Sequence, residues 1–177
     1  MTPTAPLWRG LALVGARGTG KTSVGRIVAA RLGLTFADAD QELEQRAGRT
    51  IAAIFAEQGE PAFRVLEEAT LGELTTRDGL VLATGGGAVL REANRRALRS
   101  LGRVVWLTAG PDVLAERLRR DPAGRPALTA AGTLDEIAAV LAARLPLYLD
   151  VADATVDTTG RTAEEVADAV LAAWPSW

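Results

Sequence analysis

Short apolar runs alternate with longer segments of helical periodicity along this chain. The apolar runs predict five β-strands, at Leu11–Val14, Thr35–Ala39, Leu80–Thr84, Val104–Leu107 and Ala154–Val156. Between the strands, apolar residues recur at helical spacing, as Val24, Val28 and Leu32 do after the first strand. This alternation predicts an α/β fold, in which helices cover both faces of a parallel sheet and ligands bind beyond the carboxyl ends of the strands.

Boundary signals agree with this alternation. Pro111 stands at a favourable first position of a helix, and Thr162–Glu165 has the spacing of a capping box. No internal repeat or low-complexity linker interrupts the chain, so we expect one domain over residues 1–177. Residues 1–8 are expected to form a frayed tail.

Composition places the chain among ordinary globular proteins, with 48% hydrophobic and 24% charged residues. The formal net charge of −2 gives no reason to expect a nucleic-acid partner. No apolar run reaches a membrane-spanning length, and the first residues lack the features of a secretory signal. We therefore expect a cytoplasmic protein without a membrane partner.

The chain contains no cysteine and no histidine. Their absence excludes disulfides, thiolate metal sites, a Ser-His-Asp triad and a histidine general base. Any proton transfer must therefore be carried out by a carboxylate, a lysine, a tyrosine or water.

Residues Gly15–Thr22 follow the P-loop pattern of Gly, four residues, then Gly-Lys-Thr, and they stand between a predicted strand and a predicted helix. Such a loop turns successive N–H groups toward phosphate, while Lys21 reaches the β- and γ-phosphates and Thr22 offers its hydroxyl to Mg²⁺. The alternative is a glycine turn that contains Lys-Thr by chance. The pattern predicts binding of a nucleoside triphosphate and Mg²⁺ by Gly15, Ala16, Arg17, Gly18, Thr19, Gly20, Lys21, Thr22 and Ser23.

Two aspartates, Asp38 and Asp40, end the second predicted strand. Residues i and i+2 of a strand point to the same side, so both carboxylates are expected to face a ligand there. One could hold Mg²⁺ or its waters, and the other could accept a proton from an attacking hydroxyl. The alternative is that Asp40 is the N-cap of a helix that begins with Gln41-Glu42-Leu43-Glu44.

The third predicted strand ends at Gly85–Gly87, which allows a close backbone approach to a small ligand, although Gly-Gly more commonly marks a flexible turn. Before this strand, Gly59–Glu67 predicts a helix start, with Arg64 and Glu67 on one face. This pair is either a solvated ion pair or an arginine that a glutamate orients to grip a carboxylate.

Arginines are dense in the irregular segment at about 117–131, which includes Arg125. This segment is either a charged surface or a mobile lid that closes over a nucleotide and adds positive charge to the transferring phosphoryl group. Arg144 is expected at the end of a long helix, where it could simply complement the helix dipole.

Taken together and in their order along the chain, these segments resemble the shikimate kinases over roughly residues 8–175. The segments that match are the P-loop, Phe36-x-Asp38-x-Asp40, Gly59-Glu60-x-x-Phe63-Arg64-x-x-Glu67, Gly85–Gly87, Arg125-Pro126, and Arg144 before Pro146-Leu147-Tyr148. The resemblance implies a three-layer P-loop fold with a five-stranded parallel sheet of order 2-3-1-4-5 and a mobile lid. It also implies phosphorylation of the 3-hydroxyl of shikimate by Mg-ATP, a step toward chorismate and the aromatic amino acids.

The resemblance also implies roles for individual residues. The shikimate-binding residues would be Asp40, Arg64, Gly86, Gly87 and Arg144, with Arg64 and Arg144 on its carboxylate and Asp40 on a ring hydroxyl as candidate base. Thr22 would ligate Mg²⁺ directly and Asp38 would lie near it. Arg125 would reach ATP from the lid, and Arg161 would lie near the adenine. Lys21, Asp40 and Arg125 would be the catalytic residues of what we expect to be a monomer.

One position departs from the family pattern, because the lid reads Arg125-Pro126-Ala127-Leu128 where the family usually has leucine in place of Ala127. We expect this change to remove apolar bulk from the lid without removing chemistry. Other small-metabolite or nucleoside monophosphate kinases and a regulatory P-loop NTPase remain as alternatives. The two arginines that could face one small acid favour the shikimate kinases.

Overall fold

The computed structural model describes residues 9–120 and 134–173. Five strands form one parallel sheet: β1 (Gly10–Val14), β2 (Thr35–Asp38), β3 (Leu80–Ala83), β4 (Gly102–Thr108) and β5 (Ala154–Asp157). Their order across the sheet is β2-β3-β1-β4-β5, and all four pairings are parallel. The expected α/β fold and strand order are therefore confirmed, with boundaries that differ from the predicted ones by at most two residues.

Helices pack on both faces of this sheet. They are α1 (Lys21–Leu32), α2 (Ala39–Ala47), α3 (Ile51–Leu74), α4 (Glu92–Leu101), α5 (Pro111–Arg120), α6 (Leu134–Val151) and α7 (Ala163–Ala172), with a 3₁₀ turn at Ala88–Leu90. Leu11 and Leu13 of the central strand face a core that α1 and α7 complete. Ala12 and Val14 face the opposite core, to which α3, α4 and α6 contribute. The alternation of side chains along β1 thus gives the fold its three layers.

The boundary signals have the expected effects. Pro111 is the first residue of α5, and Thr162 caps α7 in a reciprocal capping box with Glu165. Within α3 the backbone breaks at Gly59, with φ 79° and ψ 175°, and a second helical stretch follows it. Since this φ lies in the region that favours glycine, Gly59 lets the chain redirect before Arg64.

Helix α6 departs from the expectation for Arg144. The helix continues through Pro146 to Val151, so Arg144 does not lie at its end, and the proposed role in complementing the dipole is wrong. Proline removes one backbone hydrogen bond. Tyr148 and Val151 beyond it are almost completely buried in the core, and this packing favours continuation of the helix.

Part of the predicted lid lies outside the described residues. Residues 117–120 form the last turn of α5, whereas Arg125 and Ala127 fall in the undescribed range, as does the predicted N-terminal tail. Within residues 9–120 and 134–173, no helix is both long and apolar enough to cross a bilayer.

Candidate active site

The loop between β1 and α1 curls around the end of its own lysine. The Nζ of Lys21 donates hydrogen bonds to the carbonyl oxygens of Gly15 and Ala16, each at 2.8 Å. Thr19 donates its hydroxyl to Ala16 at 2.9 Å. Gly15 has a φ of 146°, and a side chain there would also collide with the carbonyl of Leu107 in β4. The loop thus needs glycine at this position for both its conformation and its contact with the sheet.

Burial changes the acidity of Lys21, whose exposed fraction is 8%. Loss of hydration lowers the pKa of its ammonium group to about 8, and Arg144 acts in the same direction. Asp40 and Asp38 oppose this shift by favouring the charged form of Lys21. The pKa of Lys21 is therefore lower than that of an exposed lysine, and a negative charge that enters the cavity would raise it.

Arg117 supports the outer part of the P-loop. Arg117 in α5 donates to the carbonyl oxygen of Gly18 at 3.0 Å, and also to the hydroxyl and carbonyl oxygens of Thr158 at 2.9 and 2.8 Å. These bonds connect the P-loop to the segment after β5. The sequence had placed Arg117 only within an arginine-rich segment, because its partners are 99 and 41 positions away.

A cavity of about 800 Å³ opens at the carboxyl ends of the strands, where the fold predicted a ligand site. Twelve of the predicted site residues line it: Arg17, Gly18, Gly20, Lys21, Thr22, Ser23, Asp38, Asp40, Arg64, Gly86, Gly87 and Arg144. Gly15, Ala16 and Thr19 form the inner side of the P-loop. Arg161 is exposed after β5 and does not line this cavity, and Arg125 lies outside the described residues.

Asp38 and Asp40 both line the cavity, but not for the predicted reason. Only Asp38 belongs to β2, and its Oδ1 accepts hydrogen bonds from the backbone N–H groups of Asp40 and Gln41 at 3.0 and 3.3 Å. The N-cap of α2 is therefore Asp38, and the alternative that placed Asp40 at the cap is also wrong, because Asp40 lies in the first turn of that helix. The assumption that both side chains project from one strand is wrong. Residues i and i+2 share a face only within a strand, and β2 ends at Asp38.

Arg64 is held by two glutamates rather than one. Its Nη1 donates to Glu67 Oε2 at 2.8 Å, in a pair whose side chains are only 8% and 4% exposed. Its Nε and Nη2 donate to Glu60 Oε1 at 3.1 and 2.9 Å. Burial alone would lower the pKa of Arg64, but Glu67 and Glu60 outweigh it and raise that pKa. Burial raises the pKa of Glu67, and Arg64 opposes that shift.

Glycines 85–87 are required for space rather than for conformational freedom, since their φ angles are not in the region that favours glycine. A Cβ on Gly87 would lie 2.5 Å from both Nη atoms of Arg64. A Cβ on Gly85 would lie 2.8 Å from Asp40 Oδ1. Gly85, Gly86 and Gly87 line the cavity, and their role as a ligand-facing loop stays a prediction.

Gly86 lies between the P-loop and helix α6. Its carbonyl oxygen accepts hydrogen bonds from Arg144 Nη1 at 3.0 Å and from the Tyr148 hydroxyl at 2.8 Å. A Cβ on Gly86 would lie 3.3 Å from the backbone nitrogen of Arg17 in the P-loop. Tyr148 also stacks on Trp106, with ring centroids 5.3 Å apart. Sequence reasoning assigned Tyr148 no role beyond the family pattern, although its position four residues after Arg144 places both on one helix face.

The donor atoms of Thr22 and Asp38 suit Mg²⁺. The Thr22 hydroxyl donates to Asp38 Oδ2 at 2.7 Å, so two hard oxygen ligands already lie together beside the P-loop. Among the residues that the structure describes, no cluster of three or more His, Cys, Asp or Glu could hold a metal alone. A hydroxyl and a carboxylate together with substrate phosphates are the usual ligand set for Mg²⁺, and these residues fit it.

Comparisons with known proteins agree with this geometry. The family model described as shikimate kinase matches residues 17–174. A shikimate kinase of Pseudomonas entomophila is 48% identical over 153 residues, covering 86% of this chain and 88% of that protein. One of Thiobacillus denitrificans is 49% identical over 148 residues, covering 84% and 80%.

Solved structures give the same result. The shikimate kinase from Acinetobacter baumannii in complex with shikimate superposes with a TM-score of 0.87 at 39% identity, covering 93% of this chain and 92% of that one. The sequence, the sheet order and the cavity lead to one conclusion: this chain belongs to the shikimate kinase family, whose members are ATP-dependent phosphotransferases.

Proposed function

We propose that this chain transfers the γ-phosphoryl group of ATP to the 3-hydroxyl of shikimate, giving shikimate 3-phosphate and ADP. The observation that carries the proposal is the meeting of two half-sites in one cavity. A P-loop forms one wall, and two arginines with an aspartate form the other. Gly86 contacts both walls, since it lies against the Arg17 backbone and accepts a hydrogen bond from Arg144. This arrangement suits transfer of phosphate to a small acid that carries a hydroxyl group.

The donor half binds and orients the triphosphate. The N–H groups of the loop and the N-terminus of α1 favour phosphate oxygens. Lys21 exchanges its bonds to the carbonyls of Gly15 and Ala16 for phosphate contacts, and the added negative charge favours its ammonium form. Thr22 and Asp38 would hold Mg²⁺, which supplies charge neutralisation at the phosphates when bound. Arg125 stays a prediction for the lid.

The acceptor half orients the acid. Arg64 and Arg144 carry the positive charges that suit its carboxylate, and Gly87 leaves the space in which Arg64 lies. Asp40 lies in the same cavity and would orient the 3-hydroxyl and accept its proton. As the bond from the 3-oxygen to γ-phosphorus forms, the bond to the β-γ bridging oxygen breaks, and the proton of the hydroxyl passes to Asp40.

Release of ADP tests the proposal. The full chain is assayed with ATP and Mg²⁺ alone, then with shikimate, gluconate or nucleoside monophosphates. Strong stimulation by shikimate alone is the expected result, and absence of stimulation by shikimate would refute the assigned activity.

A matched pair of arginine variants tests the acceptor half. Arg144→Ala should raise the KM for shikimate far more than that for ATP, whereas Arg96→Ala, at an exposed arginine paired with Glu92, should change neither. Equal losses for both substrates in Arg144→Ala would argue against a carboxylate clamp. The monomeric state and the cytoplasmic location stay predictions.

A further inference from the structure

Glu60 occupies one edge of the guanidinium of Arg64, the side chain proposed above to bind the substrate carboxylate. The Nε–Nη2 edge of an arginine presents two parallel N–H groups, which match the geometry of a carboxylate. Here both groups donate to a single oxygen, Glu60 Oε1, at 3.1 and 2.9 Å. Glu67 binds the guanidinium separately, through Nη1. Arg64 therefore meets an incoming acid with one of its carboxylate-binding edges already occupied.

The two glutamates differ in how readily each can separate from Arg64. Glu67 is 4% exposed, so its separation from Arg64 would leave a charge buried without its partner. Glu60 is 56% exposed and can exchange Arg64 for water at little cost. It also follows directly on Gly59, where the helical backbone is interrupted. Only Glu60 is thus placed to give way to a ligand.

Charge makes this exchange necessary for tight binding. Glu67 already balances the single positive charge of Arg64, and Glu60 adds a further negative charge beside it. A third carboxylate that approaches while Glu60 is in place meets repulsion from both glutamates. We propose that Glu60 is an internal competitor for the carboxylate of the acceptor, which must displace it from Arg64 to bind. The inference rests on the proposed function, since it takes Arg64 as the carboxylate site.

Glu60→Gln, compared with Glu57→Gln, tests this inference. Glutamine keeps the shape of the side chain but removes its negative charge, so the bond to Arg64 loses the Coulombic attraction of the ion pair. Glu57 lies on the same helix, is 63% exposed and pairs with Arg49, away from Arg64. The two variants change the net charge equally, so a general electrostatic effect would appear in both.

The expected result is a KM for shikimate that falls about two- to five-fold in Glu60→Gln, the range that exposed ion pairs typically contribute. The KM for ATP and kcat should stay within two-fold, and Glu57→Gln should behave as the unaltered chain. A glutamate that merely positions Arg64 would give the opposite sign, a higher KM. An unchanged or raised KM for shikimate in Glu60→Gln therefore overturns the inference.

A calorimetric titration with shikimate in the absence of nucleotide separates this inference from the proposed function. Tighter binding to Glu60→Gln than to the unaltered chain supports the competition, whatever the turnover. Equal or weaker binding refutes it even if the chain is an active kinase. Failure of the unaltered chain to phosphorylate shikimate counts against the proposed activity instead.

Discussion

Substitution of Gly87 by alanine tests whether the position of Arg64 determines the affinity for the acid. The backbone at Gly87 has φ −98° and ψ 5°, a conformation open to alanine. The added methyl carbon would lie 2.5 Å from both Nη atoms of Arg64 and 2.8 Å from its Cζ. Since unbonded atoms pack at about 3.5 Å, the guanidinium must retreat by about 1 Å.

This displacement has two measurable costs. The bond of 2.8 Å between Arg64 and Glu67 would lengthen beyond hydrogen-bonding distance, which costs about 1.5–3 kcal/mol for a charged pair. Loss of a comparable bond to the substrate carboxylate raises the KM for shikimate about 10- to 150-fold. The three heavy atoms nearest to the added methyl group all belong to Arg64, so kcat and the KM for ATP should change by less than about three-fold.

Steady-state kinetics and thermal unfolding measure these effects, with Gly72→Ala as the control. Gly72 lies in the second helical stretch of α3, and a Cβ there meets no heavy atom within 4 Å. Alanine at Gly72 should leave the kinetics unchanged and raise the stability by about 0.5–1 kcal/mol. A normal KM for shikimate in Gly87→Ala would refute the reasoning, because it would mean that Arg64 tolerates displacement or does not bind the acid.

Further predictions concern Asp40, Tyr148 and Lys21. Asp40→Asn should lower kcat about 10²- to 10⁴-fold while nucleotide binding persists, and near-normal turnover would remove Asp40 from the role of base. Tyr148→Phe removes one of two donors to the carbonyl of Gly86 and should raise the KM for shikimate several-fold with little change in kcat, whereas an effect confined to kcat would contradict a positioning role. Because the pKa of Lys21 lies near 8, the ammonium form is lost as the pH rises through that value. The affinity of the free enzyme for ATP should therefore fall between pH 7 and 9.5, and an affinity independent of pH would show that Lys21 keeps its charge.

Local chemistry accounts for what could be predicted directly. The P-loop is contiguous, and its glycines, lysine and threonine act through backbone geometry that eight residues specify on their own. The alternation of strands and helices likewise predicted the α/β class. The pairing of Arg64 with Glu67 could be proposed because they are three positions apart on one helix.

Predictions at the junctions between elements were less successful. Asp38 and Asp40 were assigned to one strand, yet the side chain of Asp38 ends that strand by capping α2. Arg144 was expected at a helix end because proline follows two residues later, but core packing beyond Pro146 maintains α6. In both cases a competing interaction decided the boundary, and its strength depends on the surroundings.

The sequence by itself determined the donor half of this site and, through the family resemblance, the list of residues in the acceptor half. Only the tertiary structure decided how the acceptor residues act on one another. Gly86 accepts hydrogen bonds from Arg144 and Tyr148, which are 58 and 62 positions away, and Gly87 leaves room for Arg64. Such contacts depend on the packing of α3 and α6 around the end of β3. The spacing of residues along the chain does not reveal that packing. Sequence motifs therefore predict which groups are present, while the packing decides which of them face each other and which, like Glu60, must move before a ligand binds.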